Sequence, residues 1–464
     1  MKSVLAFLCL IVGALIVLAV PYTPVAYSSE YGAISAFYTG KAMLLCIGCA
    51  ALAGLCVYRQ EVHGVFLLKT FIAALLIRLI VGSLIFAYRG QDFFGGDAVT
   101  YDFLGQFQLS AWAGDSYSRL ILNSRVSGWG MSYYVGVVYA LIGRNMLAIQ
   151  FINSVLGAVT APIIFVCSQQ LFNNARVSRV AALGVAFFPS LILWSSQGLK
   201  DGPIVFLLAL TILATLKLGQ KLSVKYAVIL VCTLGALVSL RFYLFYMIAV
   251  AVVGAFIMGT RAFTPNSFVR QFVILIFLGL ALTYMGVTRF ASIQLDSFAN
   301  LERIERSRRD MSKRAQSGFG EDVDVSTSSG AISNVPLGLV YLFFAPFPWQ
   351  VSSLRQVITL PEMIIWWASF PMLILGLWFS IKYRLRMIAP ILIFTTMLSL
   401  AYSIFQGNVG TAYRQRAQLL VFYFIFAAVG YVVVLEKREE KKQREFGVRA
   451  IADRMALSTA ERRT

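Results

Sequence analysis

Histidine is almost missing. His63 is the single one in 464 residues, which removes metal sites built on several imidazoles and any Ser-His-Asp relay. Acidic residues are sparse as well, 21 against 40 basic ones, and charged residues make up 13% of the chain. No glycine-rich nucleotide-binding loop occurs anywhere. The six cysteines lie in or beside apolar stretches, and Cys46-x-x-Cys49 falls inside one with no companion ligand cluster, so packing is their expected role. Acid-base chemistry is left to carboxylates, lysine, tyrosine and arginine.

Apolar residues are in large excess, 59% of the chain with a mean hydropathy of +0.76. A soluble core cannot hide that much apolar surface. Runs long enough to cross roughly 30 Å of hydrocarbon recur along the chain between short charged or Gly/Pro-containing breaks. Without period-2 alternation, such runs satisfy their backbone as helices rather than barrel strands. The expected fold is all-α, a polytopic transmembrane helical bundle. Candidate spans fall at 4–20, 41–57, 65–88, 130–143, 146–171, 179–196, 203–216, 225–240, 243–259, 271–289, 362–381, 387–405 and 416–435. The first follows a lone Lys2 without a clear small-residue cleavage site and is kept as a span rather than a signal peptide.

The net charge of +19 does not point to nucleic acid, because the basic residues collect in the breaks and in the tail. That is the positive-inside pattern, with membrane lipid headgroups as the expected partner. Counting back from a cytoplasmic tail places 173–179, 217–225, 261–270 and 382–386 inside, and 197–202, 290–361 and 406–415 outside. Counting forward from Lys2 places 88–128 outside. The two counts differ by one crossing, so one segment between 129 and 172 is expected not to span fully, leaving about 12 spans. The expected organisation is one transmembrane domain over 1–435, with large outer loops at 89–128 and 290–361, and a basic cytoplasmic tail over 436–464. Loops of that length are commonly functional. Within the second, 337–344 reads as a short apolar helix at the membrane surface.

Three outer-face groups carry possible chemistry. Beyond the third run stands Gly95-Gly96-Asp97-Ala98-Val99-Thr100-Tyr101-Asp102. A carboxylate there faces the membrane-water boundary, where a general base can meet an acceptor hydroxyl, although Asp after Gly-Gly is equally a helix-cap signal. The second group is Trp194-Ser195-Ser196-Gln197-Gly198-Leu199-Lys200-Asp201-Gly202-Pro203, whose Lys-Asp pair runs against the positive-inside trend; Pro203 makes Asp201 a plausible cap too. The third is Tyr413-Arg414-Gln415-Arg416, where two arginines suit a bidentate clamp on phosphate or, alternatively, pairing with Glu321, Asp322 or Asp324. Arg241 is a further outer-boundary cation. Carboxylates beside cations at a membrane suit attack on a sugar carried by a lipid phosphate, the base taking the acceptor proton and the cations stabilising the departing phosphate.

This arrangement resembles the GT-C superfamily, in particular the bacterial relatives of protein O-mannosyltransferases and lipid A aminoarabinose transferases. That family carries an Asp-Glu-x-x-Tyr motif in its first large outer loop; the present sequence matches at Asp97 and Tyr101, with Ala98 in place of Glu and Asp102 as a possible substitute. The stretch from Gly130 through Asn153, Ala181 and Phe188-Pro189 to Lys200-Asp201 is similar to the family's middle region, and the likeness covers roughly residues 90–220. The resemblance implies a glycosyltransferase with a polyprenyl-phosphate sugar donor, inversion at the anomeric carbon, and a glycan, lipid or protein acceptor at the outer face of a bacterial inner membrane. Carried over, Asp97 is the base and Asp201 a supporting carboxylate. With Asp102 these form the expected catalytic set. Tyr101, Lys200, Arg241, Tyr413, Arg414 and Arg416 form the expected substrate-binding set, the arginine roles resting on charge rather than on the family motif. No cofactor is expected, and the sequence offers no support for a divalent metal. Two other readings stand beside this one: a polysaccharide polymerase or ligase using lipid-diphosphate glycans, and a lipid or polysaccharide transporter, which needs charges in mid-span.

Overall fold

The computed structural model describes residues 2–23, 35–59, 63–88, 96–123, 128–259, 265–284, 286–287, 300–314, 318–320, 324–351 and 354–461. Among them the chain is helical, with a lone bridge between Gly318 and Asn408 instead of any strand. The helices are α1 Lys2–Ala19, α2 Ala36–Tyr58, α3 Gly64–Tyr88, α4 Asp97–Trp112, α5 Ser116–Asn123, α6 Gly130–Ile142, α7 Met146–Phe172, α8 Ala175–Phe187, α9 Pro189–Ser195, α10 Asp201–Gln220, α11 Val224–Leu240 and α12 Phe242–Met258. They continue as α13 Pro265–Tyr284, α14 Leu301–Arg314, α15 Ser328–Phe344, α16 Leu354–Phe405 and α17 Val409–Glu461.

Among the described residues six helices are long and apolar enough to cross a membrane, or seven if the bent pair α8 and α9 is one span. The remaining expected spans fall on shorter apolar helices. The protein is a multi-pass membrane protein. α7 lies at its centre, packed against α2, α3, α8 and α10. Local signals set the ends: Asn145 caps α7 and Asn174 caps α8, each accepting from backbone N–H groups of the first turn. Pro189 starts α9 and holds Phe188 extended, so the chain turns by 53° between α8 and α9. The two spans expected at 362–381 and 387–405 are joined in α16 through Arg384, which leaves helical geometry within the basic stretch 382–386.

Two expectations change. The outer segment 89–128 is no open loop, since α4 and the short amphipathic α5 occupy most of its described part. The run at 130–143 becomes α6, whose 13 residues extend only about 20 Å, short of the hydrocarbon thickness. It lies in the interval 129–172 where the two topology counts disagreed. Both its ends sit near helix ends: Gly130 packs on Ser239 at the end of α11, and the Ile142 carbonyl accepts from Lys41 Nζ near the start of α2. In the second long loop the apolar helix begins earlier than 337, at Ser328, because Thr327 caps it through Gly330 N–H.

Candidate active site

Four chain segments meet at one end of the bundle: the start of α4, the turn before α10, the α11–α12 junction and the first two turns of α17. Arg414 ties them together. Its Nε donates to Asp201 Oδ2 at 2.6 Å and its Nη1 to Asp97 Oδ2 at 2.7 Å, while Nη2 lies 2.6 Å from Asp201 Oδ2. Arg241 Nη2 approaches the other Asp201 oxygen at 3.5 Å. Lys200 Nζ lies 5.8 Å from the centre of the Tyr101 ring, and the Arg414 guanidinium lies 5.8 Å from that of Trp194.

The two carboxylates are not equivalent. The Asp201 side chain is 1% exposed and that of Asp97 is 50% exposed. Both occupy the first helical position, Asp201 after Lys200 and Asp97 after Gly96, and no side-chain capping bond is made at either cap residue. They are not caps. They stand in the first turn, where the positive end of the helix dipole favours a carboxylate. Asp201 is a buried anion neutralised by two arginines; Asp97 is an open carboxylate sharing one of them.

Cations with unused capacity surround the pair. Arg241 Nη1 is buried without a hydrogen-bond acceptor among the described residues, and Lys200 Nζ faces the Tyr101 ring. Burial, followed by the neighbouring Arg241, pushes the Lys200 ammonium down to about 8. Burial and the nearby Asp97 raise the Tyr101 phenol. The end of the bundle thus offers an exposed base beside guanidinium N–H groups in want of an anion.

Of the nine expected residues, the structure brings together Asp97, Tyr101, Lys200, Asp201, Arg241 and Arg414. Asp102 is elsewhere. It is buried against α6, accepting from Tyr139 and from Arg144, whose Nε lies 3.1 Å from both of its oxygens. Asp102 stands about 140° round the helix from Asp97 and about 40° from position 98; it shares the face of the missing Glu, but its carboxylate is taken up by Tyr139 and Arg144 and does not join Asp97. The arginine pair also splits. Two residues along α17 is about 200°, so Arg416 points away from Arg414. It donates to the carbonyls of Phe343 at 3.1 Å and Ala345 at 3.0 Å, closing the end of α15. Tyr413 donates to Glu362 at 2.6 Å in the same buried group and touches the site only through the edge of Trp194. Of the alternative partners proposed for these arginines, Glu321 and Asp322 lie outside the described residues, and the Asp324 carboxylate accepts from Ser326 N–H.

Sequence reasoning missed Arg144, Glu362 and Arg78. Each of the first two pairs with a buried residue more than 40 positions away, Arg144 with Asp102 and Glu362 with Tyr413. Arg78 was visible as a cation deep within an apolar run whose other charge, Lys69, lies near its start.

Residues 128–285, from just before α6 to the end of α13, match the family described as dolichyl-phosphate-mannose-protein mannosyltransferase. The match covers about a third of the 464 residues. The matched region contains Lys200, Asp201 and Arg241; Asp97 and Arg414 reach the same site from outside it. Two similar solved structures are of the Archaeoglobus fulgidus oligosaccharyltransferase. One is AglB in complex with an inhibitory peptide and a dolichol-phosphate, at 15% identity over 82% of this chain with a TM-score of 0.46. The other is an apo form, at 13% identity over 84% of this chain with a TM-score of 0.45. The chain spans about half of each, 52%. No curated protein sequence matches it.

Proposed function

We propose that this protein moves a sugar from a polyprenyl-phosphate donor to a hydroxyl of a glycan, lipid or protein acceptor, with inversion, at the outer face of a bacterial inner membrane. The half-exposed Asp97, hydrogen-bonded to Arg414 in the cluster where Arg241 keeps Nη1 open, carries this reading. The family match over 128–285 supports the donor class.

In the reaction, the acceptor oxygen attacks the anomeric carbon and its proton passes to Asp97. The bond from that carbon to the phosphate oxygen breaks, and the lipid phosphate leaves with the electron pair. Arg414, Arg241 and Lys200 meet the charge that develops on it, which is where fixed donors contribute most. Asp201 is too enclosed to take a proton from an acceptor; its part is to hold both arginines in place. Asp102, Tyr413 and Arg416 have structural parts. No cofactor enters this scheme, and the metal question rests on no donor cluster: among the described residues no three His, Cys, Asp or Glu come together.

Transfer from a panel of polyprenyl-phosphate sugars in liposomes, comparing the wild type with Asp97→Asn, tests the reading. Loss of product in the variant, with donor binding and folding retained, supports the base. A fully active variant overturns the role of Asp97. A wild type that ignores every monophosphate donor yet extends a lipid-diphosphate glycan overturns the donor class.

A further inference from the structure

Arg78 stands in the interior of the apolar α3, almost fully buried, and no carboxylate pairs with it among the described residues. A cation in such a place is costly unless every N–H finds an acceptor. All but one of its acceptors lie on another part of the chain. Nη1 donates to Ala186 O at 2.8 Å and to Ala74 O at 2.9 Å, Nη2 to Val185 O at 3.4 Å, and Nε to Ser195 Oγ at 2.9 Å. Val185 and Ala186 belong to the last turn of α8. Pro189, four residues beyond Val185, has no N–H to offer that carbonyl. Arg78 thus fills the end of a helix that the chain has broken, at the negative pole of its dipole, and from the same guanidinium grips the end of α9.

The turn that follows is held as firmly. Asn153 Nδ2, on α7, donates to Gln197 O at 2.7 Å and Leu199 O at 2.8 Å, and its Oδ1 accepts from Tyr134 OH at 3.0 Å. The turn can sit this close because the helices beneath lack side chains there. A β-carbon on Gly82 would come 2.6 Å from Ser196 O, and one on Gly157 would run into the Ser195 side chain. One residue after Leu199 the chain reaches Lys200 and Asp201. A small cavity bounded by Arg78, Gly157, Trp194, Ser195 and Asp201 lies directly behind the carboxylate.

We propose that Arg78 and Asn153 are positioning residues of the transfer site: they seat the turn 195–200 on the glycine-thinned faces of α3 and α7, and so fix where Asp201 meets Arg414 and where Lys200 projects. The kinetic side of this inference rests on the glycosyl-transfer reading; its structural side does not. Displacements of about 1 Å in such supports cost on the order of 100-fold in rate.

The test reads Lys200, whose surroundings are Asp97, Tyr101, Asp201, Arg241 and Arg414. Residue-resolved acylation of Lys200 across pH, with no sugar donor present, gives its protonation midpoint. In the wild type that midpoint is expected near 8. In a folded Arg78→Gln variant it rises toward the ordinary lysine value, and turnover falls about 10- to 100-fold, with partial recovery in Arg78→Lys. A purely structural Arg78 predicts a lower unfolding temperature with the Lys200 midpoint and the turnover per folded molecule both unmoved; that result overturns the proposal. If Arg78→Gln does not fold, Ser195→Ala decides, because it removes the link from Arg78 to α9 and leaves Arg78 on α8, at the further loss only of the hydroxyl's local bonds to Leu191 O and Ile192 O. A shifted midpoint supports the proposal and an unshifted one overturns it. A wild type inactive on every donor, with the midpoint shift present, counts against the transfer reading alone.

Discussion

Asp97 and Asp102 lie five residues apart on α4, and the fold gives them opposite fates. Asp102 is sealed against α6, its two oxygens taken up by Arg144 and Tyr139. Asp97 is open to solvent and holds half of an arginine that Asp201 also holds. A saturated carboxylate stabilises the structure, because its lone pairs are already matched. An exposed carboxylate beside unspent cations retains the capacity to accept a proton while an anion departs. α17 repeats the contrast with charges reversed: Arg414 faces the site, and Arg416 closes the end of α15.

This contrast breaks most visibly at Asp97. Asp97→Asn is expected to lower transfer by about 100- to 10,000-fold with an unchanged unfolding temperature, as measured by product formation alongside a thermal melt. Equal losses of activity and stability would erase the distinction from Asp102. Next in size is Arg414→Gln, which takes a donor from the reacting phosphate and a partner from a buried anion. Transfer should fall by about 100- to 1,000-fold and stability by about 3–5 kcal/mol, with Arg414→Lys intermediate because an ammonium cannot fork between two carboxylates.

Asp102→Asn sharpens the other side. Denaturant titration in detergent should show a loss of about 1–3 kcal/mol, with turnover per folded molecule retained. The smallest effect concerns pH. Since the Lys200 ammonium titrates near 8, raising the pH through that value removes a cation from the phosphate site, so the donor KM should climb there. Lys200→Arg stays charged and should give a flat profile; a rise that persists in this variant assigns the titration to another group.

Much of this was legible in the chain, and the illegible part has a common cause. Asp97, Lys200-Asp201 and Arg414 were legible as charged groups in the breaks between apolar runs, the last two because they run against the positive-inside trend. Their grouping was not, because 104 residues separate Asp97 from Asp201 and 213 separate Asp201 from Arg414. Helical phase decided Asp102 and Arg416: Asp102 was expected in a loop and stands on α4, Arg416 was expected at the start of a span and stands on α17, and a neighbour in sequence is not a neighbour on a helix face. The short α6 was foreshadowed only as a mismatch in counting crossings. The role of Arg78 was hidden because its partners are backbone carbonyls, which carry no residue-type signal.

By itself the sequence determined the solvent and the secondary structure of this protein. Apolar length forces helices in lipid, basic breaks orient them, and Gly, Pro and Asn mark where they start and turn. Only the tertiary structure decided which carboxylate is open and which is closed. That property belongs to the arginine each one meets, and those arginines arrive from helices remote in the chain, brought in by the packing around α7 and by the close seating of the 195–200 turn on Gly82 and Gly157.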